Sequence, residues 1–440
     1  MRVNIRQNLI RITCICIFLF CFTSIFSLLS VRLDNPIIKL WKEMIVIFYY
    51  LLSIFYMICC RKVSYKKLFI VIFSPAFVFV FYVATTLNDP LILVFYQMKS
   101  DLVPLLFVLG VVAIINSYAE AEELYYKLIK IILIVGCINV VLIVIQKIFT
   151  EWFMIFLQID DFNNSSRDSG LRLDNVNDSL RAMGSFTSFI ASGTLMVLCF
   201  IIVNEVKKIK LKTRLILSAM FLSAAIATTY KTAIIGISIY LILKVVLGVF
   251  TKGGGTIRNT IVIAYTVIVF TVSAFCFNDY FLYNQLKNTT FHDSAYGSIY
   301  IRVKQHNDIF ESVEKGNILT GAGIGTNGTE GPKGFKSNSK ALDSTYINIL
   351  SNYGLLGVII YLAILFFLIL YLSIKKNPLG ANVSIMLLLY HLDIEFFTNN
   401  ILMDFPLNLF FYLLIAFSIF YSQSDEKSIT EKMQMEVEEC

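Results

Sequence analysis

The 440 residues predict an all-α polytopic membrane protein, with about twelve transmembrane helices and two long loops on one face. Three observations carry this. Hydrophobic residues make up 57% of the chain and charged ones only 15%, against roughly 25% charged in soluble domains. Apolar runs long enough to span a bilayer recur along the whole sequence. Thirty-eight Phe and 23 Tyr fit lipid-facing helices with aromatic belts at the interfaces. A soluble enzyme, a disordered chain, a collagen-like fibre and a disulfide-rich secreted domain are excluded on composition. The net charge of +7 is spread between apolar runs, so no nucleic-acid partner is expected.

Taken in order, residues 1–149 hold five predicted spans, at 9–30, 40–60, 68–87, 102–117 and 128–149. The first is longer than a signal-peptide core, and no A-x-A-like site follows before the next span, so it reads as a retained helix. Residues 150–183 form the first long loop, acidic through Asp160, Asp161, Asp168, Asp174 and Asp178. Four spans follow within 184–278, at 184–204, 211–229, 232–250 and 259–278. Residues 279–343 form the second and larger loop. The last three spans, at 344–373, 380–396 and 402–422, occupy 344–422, and 423–440 is a polar tail.

Orientation follows from Lys and Arg. The N-terminal side of the spans holds 21 of them, including Arg2, Arg6, Arg11, Lys127, Lys130 and the cluster Lys207, Lys208, Lys210, Lys212, Arg214. The short connections opposite hold only Arg32, Lys39, Lys42, Lys99 and Lys231. Both termini are therefore expected in the cytoplasm and both long loops outside. No internal repeat and no matched pair of Gly- or Pro-broken spans is evident, which argues against an inverted-repeat transporter.

Eight of nine cysteines lie within apolar runs, and no Cys/His cluster has zinc spacing. Candidate chemistry lies at the outer boundary. Arg181 precedes the sixth span in Arg-Ala-Met-Gly-Ser-Phe, Lys231 sits in the hairpin Thr-Thr-Tyr-Lys-Thr-Ala, and Arg302 lies in the second loop near His306. Each cation alone is more often a snorkelling anchor. Converging, the three would suit a diphosphate, which Arg binds bidentately and Lys as a point charge. The run Gly321-Ala322-Gly323-Ile324-Gly325 lacks the Gly-Lys-Ser/Thr ending of a P-loop. It reads as a flexible turn or as a tight turn beside a substrate. Asp343 heads a polar first turn that includes Tyr346 and Asn348, and is either a helix N-cap or a base. Gly354 and Gly357 have the spacing of close helix approach. His391, Asp393 and Glu395, near the end of the eleventh span, are intramembrane ionisable groups or a wet helix end.

The order of these segments resembles the O-antigen ligase/polymerase superfamily, and within it the Wzy-type polymerases of bacterial surface polysaccharides. The resembling part covers about 180–375. Two departures are evident. The basic hairpin, usually Ser-Arg, is Tyr230-Lys231, and Asp343 stands where the ligase branch has His. The resemblance implies a metal-independent, cofactor-free glycosyltransferase of the membrane-embedded C class in the bacterial inner membrane. Its substrate would be an oligosaccharide on undecaprenyl diphosphate, and its partners the chain-length regulator and flippase of the same pathway, together with membrane lipids. On that resemblance, Arg181 and Arg302 stabilise the leaving diphosphate, with Lys231 as a weaker third. Asp343, or else His306, accepts the acceptor proton, Tyr346 and Asn348 bond sugar, and the Gly321, Gly323, Gly325 turn approaches substrate. The alternatives are a ligase, which differs only in its acceptor, a flippase or other transporter, and a structural partner in a polysaccharide assembly complex.

Overall fold

The computed structural model describes residues 2–33, 38, 40–59, 65–85, 89–157, 175–176, 179–250, 262, 264–265, 294–315, 317–325, 327, 342, 344–394, 401 and 404–423. The fold is helical, and the strand content described is one two-residue hairpin, Asn175–Val176 with Ser179–Leu180. Five described helices are long and apolar enough to cross a membrane, and a bent pair makes a sixth. The protein is therefore a helical membrane protein. Most of the predicted span at 259–278, and about half of each long loop, lie outside the described residues.

The bent pair is α1 (Arg2–Phe20) and α2 (Thr23–Arg32), which meet at 64° where one continuous helix was expected. α3 (Trp41–Cys59) and α4 (Tyr65–Thr85) follow. α5 (Leu91–Ile114) starts well before the predicted 102, because its polar first turns are paired inside the protein. Lys99 meets Glu43 at 3.1 Å, and Asp101 accepts from Gln97. A charge that has a partner no longer ends an apolar helix. α6 (Tyr118–Ile148) and the short α7 (Thr150–Leu157) complete the N-terminal half.

α8 (Phe189–Glu205), α9 (Leu211–Ala227) and α10 (Lys231–Phe250) come next, then α11 (Ser294–Lys315). α12 (Thr345–Ile374), α13 (Ala381–Ile394) and α14 (Leu407–Phe420) close the described chain. α8 and α14 have 17 and 14 residues. At 1.5 Å per residue they are shorter than the roughly 30 Å hydrocarbon layer. They are also deeply enclosed, as is the described part of α13, with Leu195, Phe410 and Leu388 fully buried. α3, α4 and α12 instead turn large apolar side chains outward, such as Phe55 (69% exposed), Phe77 (75%) and Phe367 (63%), as a bilayer solvent requires.

The bundle has two unlike ends. At one, Arg6 pairs with Glu120, Lys208 with Glu122, and Lys375 Nζ donates to Ile419 O at 2.7 Å. At the other, non-helical segments enter the bundle. Phe20 packs on Trp41 and Phe405 there, and Lys99 meets Glu43.

Candidate functional site

The irregular end is built on two broken helices, and each break is repaired by a loop. A broken helix strands backbone N–H and C=O groups, and in a membrane each unmet group costs several kcal/mol.

The first break lies at Cys21 and Phe22. Ser185, from the Arg181 segment, supplies what is missing: its Oγ donates to Cys21 O at 2.6 Å, and its carbonyl accepts from Ser24 N (3.1 Å) and Ser24 Oγ (2.8 Å). The loop is fixed in turn by two polar residues inside α6. Gln146 Oε1 accepts from Met183 N at 3.0 Å and Gly184 N at 2.9 Å, and its Nε2 donates to Gly184 O at 3.1 Å. Asn139 Oδ1 accepts from Ser185 N at 2.8 Å. Gly184 has φ +57°, and a Cβ there would fall 2.1 Å from Asn139 Oδ1, so the glycine is required by both conformation and space. Gln146→Leu would leave two buried N–H groups unmet. It is expected to cost about 2–3 kcal/mol, read as a lower Tm in detergent; an unchanged Tm would show that the loop is held by other contacts.

The second break lies within α12, at Gly354 (φ 66°, ψ −165°). This corrects the expectation of close helix approach at Gly354: the residue interrupts the helix. The segment 317–325 repairs it. Leu355 N donates to Ile318 O at 2.9 Å, Leu356 N to Leu319 O at 3.3 Å, and Ala322 N to Ser351 O at 2.8 Å. Gly325 N donates to Asn352 Oδ1 (2.8 Å) and Ile324 N to Asp89 Oδ2 (3.1 Å). Gly321, Gly323 and Gly325 all have positive φ. A Cβ on Gly321 would meet Ser351 O at 2.6 Å and Gly354 N at 2.7 Å; one on Gly325 would meet Leu93 O at 2.7 Å. The glycine run is thus a tight turn, pressed against helix backbone.

Beside this break, Asp101 accepts from Tyr82 Oη, from Gln97 Nε2 at 3.1 Å and from Tyr353 Oη at 3.3 Å. Sequence reading passed over these residues because it placed Gln97 and Asp101 in a connection. It also passed over Asn139 and Gln146, although a polar side chain within an apolar run was the available signal.

Among the predicted site residues, Arg181 is half-buried, with its guanidinium 4.5 Å over the Phe189 ring. It lies within Coulombic reach of Lys147, at the end of α6. Phe189 packs edge-on against Tyr230 at 5.9 Å, which brings the Arg181 segment to the Tyr230-Lys231 hairpin. Lys231 itself is exposed at the start of α10. His306 is buried in α11, on the helix that packs against α12 through Ile309 and Val313. Arg302 lies in α11, and its side chain falls outside the described residues, as does Asp343 altogether. The N-cap of α12 is Ser344, whose Oγ accepts from Ile347 N at 3.4 Å. Tyr346 is fully buried and donates to Leu392 O at 3.0 Å, and Asn348 is buried with its amide oxygen accepting from Asn352. Both therefore brace the helices around the break. His391 is buried and bonded to Tyr361 Oη, and Asp393 accepts from Tyr265 Oη at 2.6 Å. Among the described residues, no group of three or more His, Cys, Asp or Glu side chains could hold a metal ion.

Fold and site together define a polytopic helical membrane protein whose polar loops are built into one end of the bundle. No protein-family model matches the chain, and no curated protein matches it.

Proposed function

We propose that the protein is a polymerase of lipid-linked saccharides: it joins oligosaccharide repeat units carried on undecaprenyl diphosphate into O-antigen or capsular polysaccharide at the outer face of the bacterial inner membrane. The observation that supports this most is the assembly of the irregular end. Arg181, Lys147 and the Lys231 hairpin share one region there, and the glycine turn belongs to the same end. A diphosphate leaving group holds its own negative charge, so fixed cations can stabilise its departure. The sugar hydroxyl of a second lipid-linked unit attacks the anomeric carbon. The bond to the diphosphate oxygen breaks, and the hydroxyl proton passes to Asp343 or His306. The concentration of Lys and Arg at the opposite end of the bundle supports the outward placement of the loops, with both termini cytoplasmic.

The test uses purified protein in liposomes with one lipid-linked repeat unit and no other acceptor, with products resolved by size. A ladder that is lost in Arg302→Ala is the expected result. Addition of EDTA is expected to leave the ladder unchanged. Single transfer to an added lipid A core or protein acceptor, with no ladder, would replace the polymerase with a ligase.

The two broken helices favour a second reading, a flippase or transporter, because discontinuous helices also frame substrate sites in transporters. That reading predicts movement of the lipid-linked unit across protein-containing liposomes without any change in its size.

A further inference from the structure

The basic end holds a groove that the polymerase reading does not use. It has a volume of about 510 Å³ and lies between α6, the 206–210 connection and α9. On α6 it is lined by Tyr126, Ile129, Lys130, Leu133, Ile134 and Cys137, residues three and four apart that form one continuous helix face. Val206 and Leu217 supply the other wall. Ile134 is 45% exposed, so the groove opens sideways instead of into the core.

Depth along α6 fixes what faces this groove. α6 has 31 residues, about 46 Å at 1.5 Å per residue, against a hydrocarbon layer of about 30 Å. Its first turns must project beyond the hydrocarbon. From Ile131 onward the helix has no charged residue before Lys147, so Lys130 sits at the headgroup boundary and the groove below it runs into the acyl region. Lys208 lines the same groove from the connection, with Nζ 3.6 Å over the Tyr126 ring. Exposed Lys207, Lys210 and Lys212 follow directly, with half-buried Arg214. The acidic residues at this end are Glu120, which pairs with Arg6, Glu122, which pairs with Lys208 at 3.1 Å, Glu123, which pairs with Lys127 at 2.5 Å, and Glu205, which pairs with Lys244 at 3.1 Å. Lys130, Lys207, Lys210 and Lys212 make no ion pair among the described residues, so the rim keeps an excess of positive charge.

We propose that this groove is a binding site for one anionic glycerophospholipid of the surrounding leaflet. Its acyl chain lies along the Leu133, Ile134 and Cys137 face, and its phosphate is held by Lys130 and Lys208. Charge complementarity selects the anionic lipid, since a zwitterionic headgroup would bring its own cation against the lysines. An apolar trough continuous with a basic rim meets both halves of such a molecule at once.

The experiment is native mass spectrometry of the full chain, delipidated in detergent and titrated with phosphatidylglycerol or phosphatidylcholine. Wild type is expected to retain one phosphatidylglycerol well above the level of phosphatidylcholine. Lys130→Ala/Lys208→Ala is expected to weaken phosphatidylglycerol retention roughly 10–30-fold, at about fivefold per lysine, and leave phosphatidylcholine unchanged. Ile134→Trp, which fills the trough and keeps every charge, is expected to lower phosphatidylglycerol retention as well. Equal retention of the two lipids by wild type would overturn the proposal. So would undiminished retention in Ile134→Trp, because the lipid would then be held by diffuse surface charge elsewhere.

Discussion

Arg181→Ala is expected to reduce polymer formation about 10²–10³-fold, the loss that follows removal of one fixed electrostatic donor from a charge-separating step. The guanidinium is pinned 4.5 Å over Phe189, and Lys147 lies close enough for the two like charges to repel. Two cations held together in a partly enclosed region gain from an anion that reaches both, and a diphosphate has that span of charge. Arg181→Lys should recover part of the rate, because the charge returns but the planar fork and the ring contact do not. Phe189→Leu keeps the charge and loosens its position. It should cost less than Arg181→Ala and raise KM for the lipid-linked unit more than it lowers kcat. The loop carrying Arg181 is anchored by Ser185, Asn139 and Gln146 and not by the guanidinium, so Arg181→Ala should keep the Tm of wild type. A variant with wild-type Tm and wild-type ladder would remove Arg181 from the mechanism.

Gly354→Ala should be the most destabilising single substitution in the described chain. At φ 66° and ψ −165° the residue occupies a region open essentially to glycine alone. A Cβ there would fall 2.3 Å from Leu319 O and 2.5 Å from Gly321 N, both backbone atoms that no side-chain rotation can move. Relief requires the 317–325 segment to leave α12, which strands Leu355 N, Leu356 N and Ser351 O together. The expected cost is above about 4 kcal/mol, the range reserved for backbone strain combined with buried unmet groups. Loss of the folded, monodisperse species on size-exclusion chromatography would report it. Gly110→Ala, within α5, serves as the comparison, because a Cβ there meets the Tyr49 ring at 2.9 Å and Ser53 Oγ at 3.4 Å, side-chain atoms that can shift. Equal behaviour of the two variants would show that the break is not held as described.

These two predictions divide along what sequence and structure each contribute. Arg181 was legible because a cation at the mouth of an apolar run is conspicuous in one dimension. The glycine run was equally visible, but the Ser351 carbonyl and Gly354 backbone that it presses against lie on a helix some thirty residues further along. Asp101 was passed over for the opposite reason. Read along the chain, Lys99 and Asp101 end an apolar run; in three dimensions Glu43, Tyr82 and Tyr353 partner them, and the helix continues through.

The sequence alone determined the solvent and the helical class. Apolar runs of bilayer length with so few charges admit only helices in a membrane, since every backbone group must be met within its own segment. The distribution of Lys and Arg likewise marked which end of the bundle would be basic. Only the tertiary structure decided where that rule is broken. The interruptions at Cys21 and Gly354 are tolerable because Ser185 and the 317–325 segment supply the missing hydrogen bonds, and those partners come from remote stretches of chain. Helix periodicity is a local property and can be read residue by residue. The repair of a broken helix is a pairing between distant segments, and it exists only once the chain has folded.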